Sequence, residues 1–566
     1  MNISNFKIKF SDRKQNYALF GLIVTVALCV GFFTWGKMQM GDSSVELTYG
    51  TMVKSGRVPY VDFYMHIMPL TSYVASFLLL AKLPIHAANI LGALNIFAAS
   101  LIVFASAHVL KLSFREKVLS LLLFFGVYTT TLPSFNHHSF DVTLSACVAF
   151  CLIGLIRAVS KKEIYIWAGV VAVCSVANFF VTQTYGMASM ALGLFVLFAD
   201  YVLNKNKLSI RKLFVLVSAQ LLCLFIFLGS FVMFGKISLQ KMYESTFATG
   251  YQQYTGTYGY GTIWRTSITN VRSLYYKRFA PAKDVVQQSN TAVEFGQEPD
   301  LLPEGLFYKV FLKKSSLLFS VFSLFGLFFI IYMAIYIVYI FLKKIRYKEP
   351  IEPVFLLWTG MVGIFFASSI LVFQMNFSVF FMIFVLWLFN VKQEMNGKFL
   401  FFNNVFNVVA GGLVALLFVS NFTILYFDFK TRDYFLSKTK NENVWVPMSY
   451  YKSFSAQFRD LSLFLDAGQE AGSLAAYPRA SEIYYLLGKI PPAGFPLVSF
   501  YRPGGAYGAT LDGAENSKIV IIFEPKFYGS DLGEEHAFAM KQIQPALDKN
   551  FTLSFSSAYF KIYKHL

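Results

Sequence analysis

Acidic and imidazole side chains are sparse in this chain, and those with chemical potential gather in a few short stretches. The first reads Gly41-Asp42-Ser43-Ser44-Val45-Glu46 and runs on to Gly56-Arg57-Val58-Pro59-Tyr60-Val61-Asp62-Phe63-Tyr64-Met65-His66-Ile67-Met68-Pro69. A partly desolvated carboxylate such as Asp42 can serve as a general base. It can equally cap a helix that starts at Ser43, and the two readings are compatible. Glu46 stands four residues on, so on a helix it shares a face with Asp42. Together they could hold a divalent cation or a polar acceptor; the plainer reading makes Glu46 a first-turn acid favoured by the helix dipole. His66 is a further candidate for binding substrate, or a polar tip at an interface.

The second stretch is Asn136-His137-His138-Ser139-Phe140-Asp141. With a helix beginning near His138, His138 and Asp141 lie one turn apart on one face. They could contact a phosphate, or ligate a metal with Asp42, although the spacing matches no strong metal motif. The alternative is a set of interfacial polar residues with an acid near a helix start. Gln183 and Tyr185, in Thr182-Gln183-Thr184-Tyr185-Gly186, line the same cavity or anchor an interface. Residues 249–264, TGYQQYTGTYGYGTIW, interleave aromatic rings with glycine, a pattern suited to stacking on sugars or resting among headgroups. Arg265, Arg272, Lys277 and Arg278 follow and could grip a lipid phosphate, or simply face anionic lipid.

The elements that position these groups are membrane helices. Of 566 residues 56% are hydrophobic and only 14% charged, where a soluble domain carries about a quarter. The apolar residues come in long runs without alternation, which favours helices over a barrel. The net charge of +18 does not indicate nucleic acid, because Lys and Arg collect in short loops between apolar runs and there set topology. The five cysteines lie inside apolar segments and read as packing residues, with neither a disulfide framework nor zinc spacing. The basic start (Lys7, Lys9, Arg13, Lys14) and the absence of a small-residue cleavage site predict a retained first helix with a cytoplasmic N-terminus.

Eleven spans follow from the positive-inside rule: 17–35, 87–110, 118–132, 140–158, 165–181, 186–203, 213–234, 316–342, 353–373, 377–391 and 405–427. The apolar stretch 69–83 is short for a crossing and is predicted to lie in the outer interface or to enter and return. This topology gathers the unusual polar residues at the outer face and leaves mainly Lys and Arg inside. The expected fold class is an all-α polytopic membrane protein with a small α/β extracytoplasmic C-terminal domain. Residues 1–427 form the catalytic module, with outer loops 39–86 and 235–314, and residues 428–566 form the C-terminal domain. In the latter, 518–523 reads as a buried strand, 481–487 and 534–547 as helices, and 552–555 and 559–563 as short strands.

The order of a first helix, Asp42 with Glu46, Gly56 through Phe63, then His66 and Pro69 opening an apolar segment resembles the GT-C glycosyltransferases that use polyprenyl-phosphate sugars, a superfamily that includes protein O-mannosyltransferases and lipid A aminoarabinose transferases. The Gln183–Gly186 turn is similar to a Lys-Gln turn of some members, without the Lys. The likeness spans about the first 200 residues and implies an inverting transfer at the outer face. In it Asp42 takes the proton of an acceptor hydroxyl, which attacks the anomeric carbon as the polyprenyl phosphate departs. The acceptor would be a glycan, lipid or protein. His66, His137, His138, Arg265 and Arg272 would contact the donor or its phosphate, and Asp141 would match the second-loop acid that serves near the carrier phosphate or a metal. Two departures stand out: Asp42 is followed by two serines where an acidic doublet is common, and His66-Ile67-Met68-Pro69 replaces a His-Pro-Pro. A divalent cation held by Asp42 and Asp141 is accordingly one expectation and metal-free transfer the other. The expected setting is a bacterial inner membrane. Competing readings are an O-antigen polymerase or ligase, which the absence of His from 235–314 disfavours, and a lipid or sugar transporter, which the lack of midplane charge disfavours.

Overall fold

A computed structural model of the chain describes residues 10–39, 42–128 apart from 64 and 66, 135–248, 335–361 apart from 336, 345, 348 and 358, 398–430, 432–437 and 442–447. Farther on it describes 461, 465, 474–477, 481–492, 514–523 and 533–566 apart from 558 and 559. The predicted spans 316–342 and 353–373 lie largely, and 377–391 wholly, outside these residues.

The helices in order are α1 (Phe10–Thr34), α2 (Asp42–Lys54), α3 (Leu70–Leu78), α4 (Pro84–Val109), α5 (Phe114–Tyr128), α6 (His137–Arg157), α7 (Lys161–Val181), α8 (Gln183–Asn204), α9 (Lys207–Met233) and α10 (Leu239–Tyr243). A π-helical turn, Glu244–Ala248, follows α10 directly, and α11 (Lys398–Lys430) precedes the C-terminal region. Among the described residues six helices are long and apolar enough to cross a bilayer: the body of α1 (Arg13–Thr34), α4, α6, α7, α8 and α9. The chain is an integral membrane protein. The helix α5 has 15 residues, about 22 Å at 1.5 Å per residue, against a hydrocarbon core of about 30 Å. The 69–83 stretch forms α3, whose 9 residues reach about 13 Å, too short for a crossing.

Local chemistry sets the helix ends. Asn136 caps α6 by accepting the Ser139 N–H at 2.9 Å, and Asn206 caps α9 by accepting from Leu208 at 3.1 Å. Ser160 and Glu163 form a reciprocal capping box at the start of α7. Thr182 closes α7 and opens α8 in one extended residue, so those helices turn back on each other almost without a loop. That turn needs Gly186: a Cβ there would fall 1.9 Å from the Phe179 Cα. Among the described helices α6, α7, α8 and α9 pack together, α4 joins them through α6, α1 and α5 flank α4, and α11 packs against α5 and α1. Polar residues deep in this bundle hydrogen-bond with one another, as Asn178 does with Ser145 and Ser189 (3.0 and 3.1 Å) and Gln220 with Ser175 (3.3 Å).

After α11 the chain forms an antiparallel ribbon, β1 (Arg432–Ser437) with β2 (Glu442–Pro447). Further on come β3 (Leu474–Tyr477), α12 (Ser481–Leu487), β4 (Ile519–Phe523), α13 (Gly533–Asn550), β5 (Phe551–Ser556) and β6 (Phe560–His565). Their sheet has the order β3-β4-β6-β5, with β3 and β4 parallel and the other pairs antiparallel. Every residue of β4 is buried, as a continuous Ile-Val-Ile-Ile-Phe run in a covered strand requires. The strands and helices expected from the sequence in this region occur within a few residues of their predicted limits.

The C-terminal region is fastened to the helical part. Trp445 of β2 exchanges main-chain bonds with the turn after α1, accepting from Met38 N and donating to Gly36 O, both at 2.9 Å. Its indole donates to the Trp35 carbonyl at 2.6 Å. The Glu442 carboxylate takes the free N–H groups of Ile85 and His86 at the start of α4 (3.3 and 2.9 Å) and pairs with His86 Nδ1 at 2.5 Å. Lys37 pairs with Asp428 at 2.9 Å.

Candidate active site at the starts of α2 and α6

The helix α2 is buried on nearly all sides, which is unusual for 13 residues that carry two acids, two threonines and two serines. Its approach to α3 is set by Gly50, where an added Cβ would stand 2.5 Å from the Ala75 Cβ. Ser44 and Thr48 face α12. The Ser44 hydroxyl lies 2.6 Å from the Ser481 hydroxyl and donates to Glu482 at 3.1 Å, while Thr48 donates to the Ser481 carbonyl at 2.8 Å. Glu46 points the other way, toward α6.

There the Glu46 carboxylate meets His137, Oε1 to Nδ1 2.9 Å, with Glu46 1% and His137 8% exposed. Asp141, one turn beyond His137, is 1% exposed. Its neighbours are His137, Glu46 and, from the α7–α8 turn, Thr182, whose hydroxyl faces the carboxyl without reaching hydrogen-bond geometry. Glu46 Oε2 and both Asp141 oxygens are buried with no hydrogen-bond partner among the described residues. Burying such acceptors is costly unless something pairs with them. Three ionisable side chains from two helices thus converge where a bound hydroxyl could give up a proton.

Asp42 is the first residue of α2; the expectation of a cap before a helix at Ser43 shifts by one position, and its side chain lies outside the described residues. Glu46 and Asp141 come together around His137. The helix starts at His137, one residue before His138, so His137 and His138 both lie within a turn of Asp141, and His137 is the one that meets Glu46. The His138 ring lies against that of His137, centroids 4.0 Å apart. Gln183 opens α8 beside Thr182 and donates to the Thr246 carbonyl of the π-helical turn at 3.1 Å. Tyr185 is half-buried on the same turn. His66, Arg265, Arg272 and the 249–264 motif lie outside the described residues. Asp62 acts locally, accepting the Val58 N–H at 2.7 Å and holding its own loop closed. Beside it the half-buried Arg57 donates to the Pro491 carbonyl at 2.5 Å; burial lowers its pKa and the Asp62 charge partly restores it. Sequence reasoning passed over Thr182, Gln39 and the C-terminal Glu482 and Tyr485. Thr182 had a visible signal, standing next to Gln183; the C-terminal pair had none, because tertiary contact alone brings them here.

Among the described residues no three His, Cys, Asp or Glu side chains are arranged as a metal site. The partnerless oxygens of Glu46 and Asp141 fit a cation or a donor in kind.

The sequence matches no protein-family model and no curated protein. Solved structures do match. ArnT from Cupriavidus metallidurans in the apo state aligns over 96% of this chain and 97% of its own, with a TM-score of 0.51 and 11% identity. The Archaeoglobus fulgidus oligosaccharyltransferase in the apo form aligns over 99% of this chain and 75% of its own, with a TM-score of 0.51 and 13% identity. Both are GT-C enzymes. At such identities the likeness is one of fold: this chain has the GT-C fold.

Proposed function

We propose that the chain is an inverting glycosyltransferase moving a sugar from a polyprenyl-phosphate carrier to a hydroxyl of a glycan, lipid or protein. The observation that carries this reading is the Glu46–His137 pair beside Asp141, which joins the start of α2 to the start of α6 within a GT-C fold. Asp42 opens α2 one turn before Glu46 and is the general base. Asp42 takes the proton of the acceptor hydroxyl as its oxygen attacks the anomeric carbon, and Glu46 is held in place by His137. The carbon–phosphate oxygen bond breaks on the opposite face, and the carrier leaves as its phosphate.

The carrier phosphate falls to His66, His138, Arg265 and Arg272, with Gln183 and Tyr185 at the edge of the cavity. A divalent cation, where one binds, would be held by Asp42 and Asp141 and would supply Lewis-acid stabilisation of negative charge. Residues 1–427 form the catalytic membrane module and 428–566 the α/β domain, on the outer face of a bacterial inner membrane.

The test is transfer by membranes carrying the chain, supplied with polyprenyl-phosphate hexoses and pentoses and read as carrier phosphate released and product formed. Surface glycans compared by mass spectrometry with and without the gene identify the acceptor. Asp42→Asn is expected to lower transfer by about 10²–10⁴-fold, the usual worth of a positioned base, with unchanged thermal unfolding. Wild-type transfer in that variant overturns the assignment.

A further inference from the structure

Gln39 stands three residues before Asp42 and is 3% exposed. Its side-chain carbonyl accepts the backbone N–H of Phe135 at 3.0 Å, and because an N–H can only donate, the amide oxygen must face it. Its main-chain carbonyl accepts the Tyr485 hydroxyl at 2.5 Å. Phe135 directly precedes Asn136, the cap of α6, and His137 follows. One side chain therefore ties the segment entering α2 to the segment entering α6. These are the two helix starts that carry Asp42 with Glu46 and His137 with Asp141. The contact between α2 and α6 themselves is short and includes the Glu46–His137 pair, so the Gln39 bond is a second tie between their starts.

Tyr485 belongs to α12, whose Glu482, almost one turn earlier, accepts from Ser44 of α2. The C-terminal region thus reaches both sides of the entry to α2. Tyr485 is itself 5% exposed, and its one hydrogen-bond donor is directed at that carbonyl. A buried amide and a buried phenol spent on two loop carbonyl and N–H groups are costly features for packing alone, where apolar side chains would fill the space.

We infer that Gln39 and Tyr485 are positioning residues of the transferase site: they set the distance and angle between the two acid-bearing helix starts and touch neither donor nor acceptor. The inference rests on the function proposed above. Misplacing reacting groups by about 1 Å costs about 10²-fold in rate, so the relay should act on turnover and not on binding.

The experiment is a double-mutant cycle on the full chain in membranes, with a polyprenyl-phosphate-linked sugar as donor. Gln39→Met and Tyr485→Phe are each expected to lower kcat about 10- to 100-fold with the donor KM within about twofold. The double variant should be no slower than the slower single variant, because members of one relay do not add independently. Thr48→Val cuts a different α2–α12 bond and should lower the unfolding temperature while leaving kcat unchanged. Multiplying effects, a raised KM at unchanged kcat, or an equal kcat loss in Thr48→Val would each overturn the inference. Where the wild type transfers nothing, the proposed function fails, and amide exchange decides the relay separately. Gln39→Met should then speed exchange across 135–139 while α7 and α9 stay protected, and unchanged exchange there overturns it.

Discussion

Glu46 and His137 stand 91 residues apart in the chain and meet at 2.9 Å, both buried, across the contact of α2 with α6. Removing one member of a buried pair strands the other, at a cost of about 3–5 kcal/mol. His137→Ala should destabilise by about that amount, because it leaves the Glu46 carboxylate dry and unpaired. Glu46→Gln keeps an acceptor for the imidazole and loses only the charge assistance, about 1–2 kcal/mol. The double variant should be more stable than His137→Ala alone. Thermal unfolding in detergent checks the order; a loss in the double variant equal to the sum of the two single losses would mean that the two groups do not interact.

The crossing of α2 over α3 is a second control on the site. An Ala at position 50 would put its Cβ 2.5 Å from the Ala75 Cβ and 2.8 Å from the backbone at Ala75 and Ser76. Gly50→Ala is therefore expected to cost about 1–3 kcal/mol by overpacking and to move the whole of α2, with Asp42 and Glu46, relative to α6. Transfer should fall with it. Ala75→Gly added to Gly50→Ala should recover only part of the loss, since the close backbone atoms remain. Full recovery would show that the side chain alone sets the approach.

The link between the β1–β2 ribbon and α4 rests on Glu442, which serves two N–H groups of the first turn and the His86 ring. Glu442→Ala leaves those donors buried without an acceptor, at about 1–3 kcal/mol each. Glu442→Gln retains one carbonyl oxygen there and should lose less. Limited proteolysis of the C-terminal region, followed against temperature, should show early cleavage in the Ala variant and intermediate behaviour in the Gln variant. Equal cleavage of all three forms would assign the ribbon's attachment to Trp445 instead.

Much of this arrangement was legible in the sequence, for physical reasons that differ by residue. Long apolar runs cannot be anything but helices in lipid, so α1, α4 and α6–α9 follow from composition. The dip at 69–83 was too short to cross, and α3 begins behind Pro69 after a loop in which Asp62 accepts from Val58 and Tyr60 donates to the Ile67 carbonyl. The acids Asp42, Glu46 and Asp141 announced themselves by being expensive where they stand. What the sequence could not supply was partner choice. His137 and His138 are neighbours with equal chemistry, both within a turn of Asp141, and only the packing of α2 against α6 decides that His137 is the one to meet Glu46. Tyr485 and Gln39 carry no local signal at all, since an isolated phenol or amide is ordinary and only the folded chain brings them to 2.5 Å.

Tyr485 also provides a pH test that is independent of transfer. Burial, and behind it the charges of Glu482 and Glu442, raise the phenol well above its ordinary value of 10.0. In the unfolded chain the same phenol titrates near that ordinary value. Between the two, the folded protein holds a proton that the unfolded chain has released, so stability falls as pH rises. The contribution is therefore fully present below about pH 10 and is lost progressively above it. Unfolding monitored at the C-terminal region should show a steep alkaline decline in the wild type. Tyr485→Phe has no proton to lose, so it should be less stable at neutral pH, by the lost bond to Gln39, yet flatter with pH above 10. Parallel alkaline slopes in the two proteins would mean that the decline arises at another group and that the Tyr485 hydroxyl is not held as described.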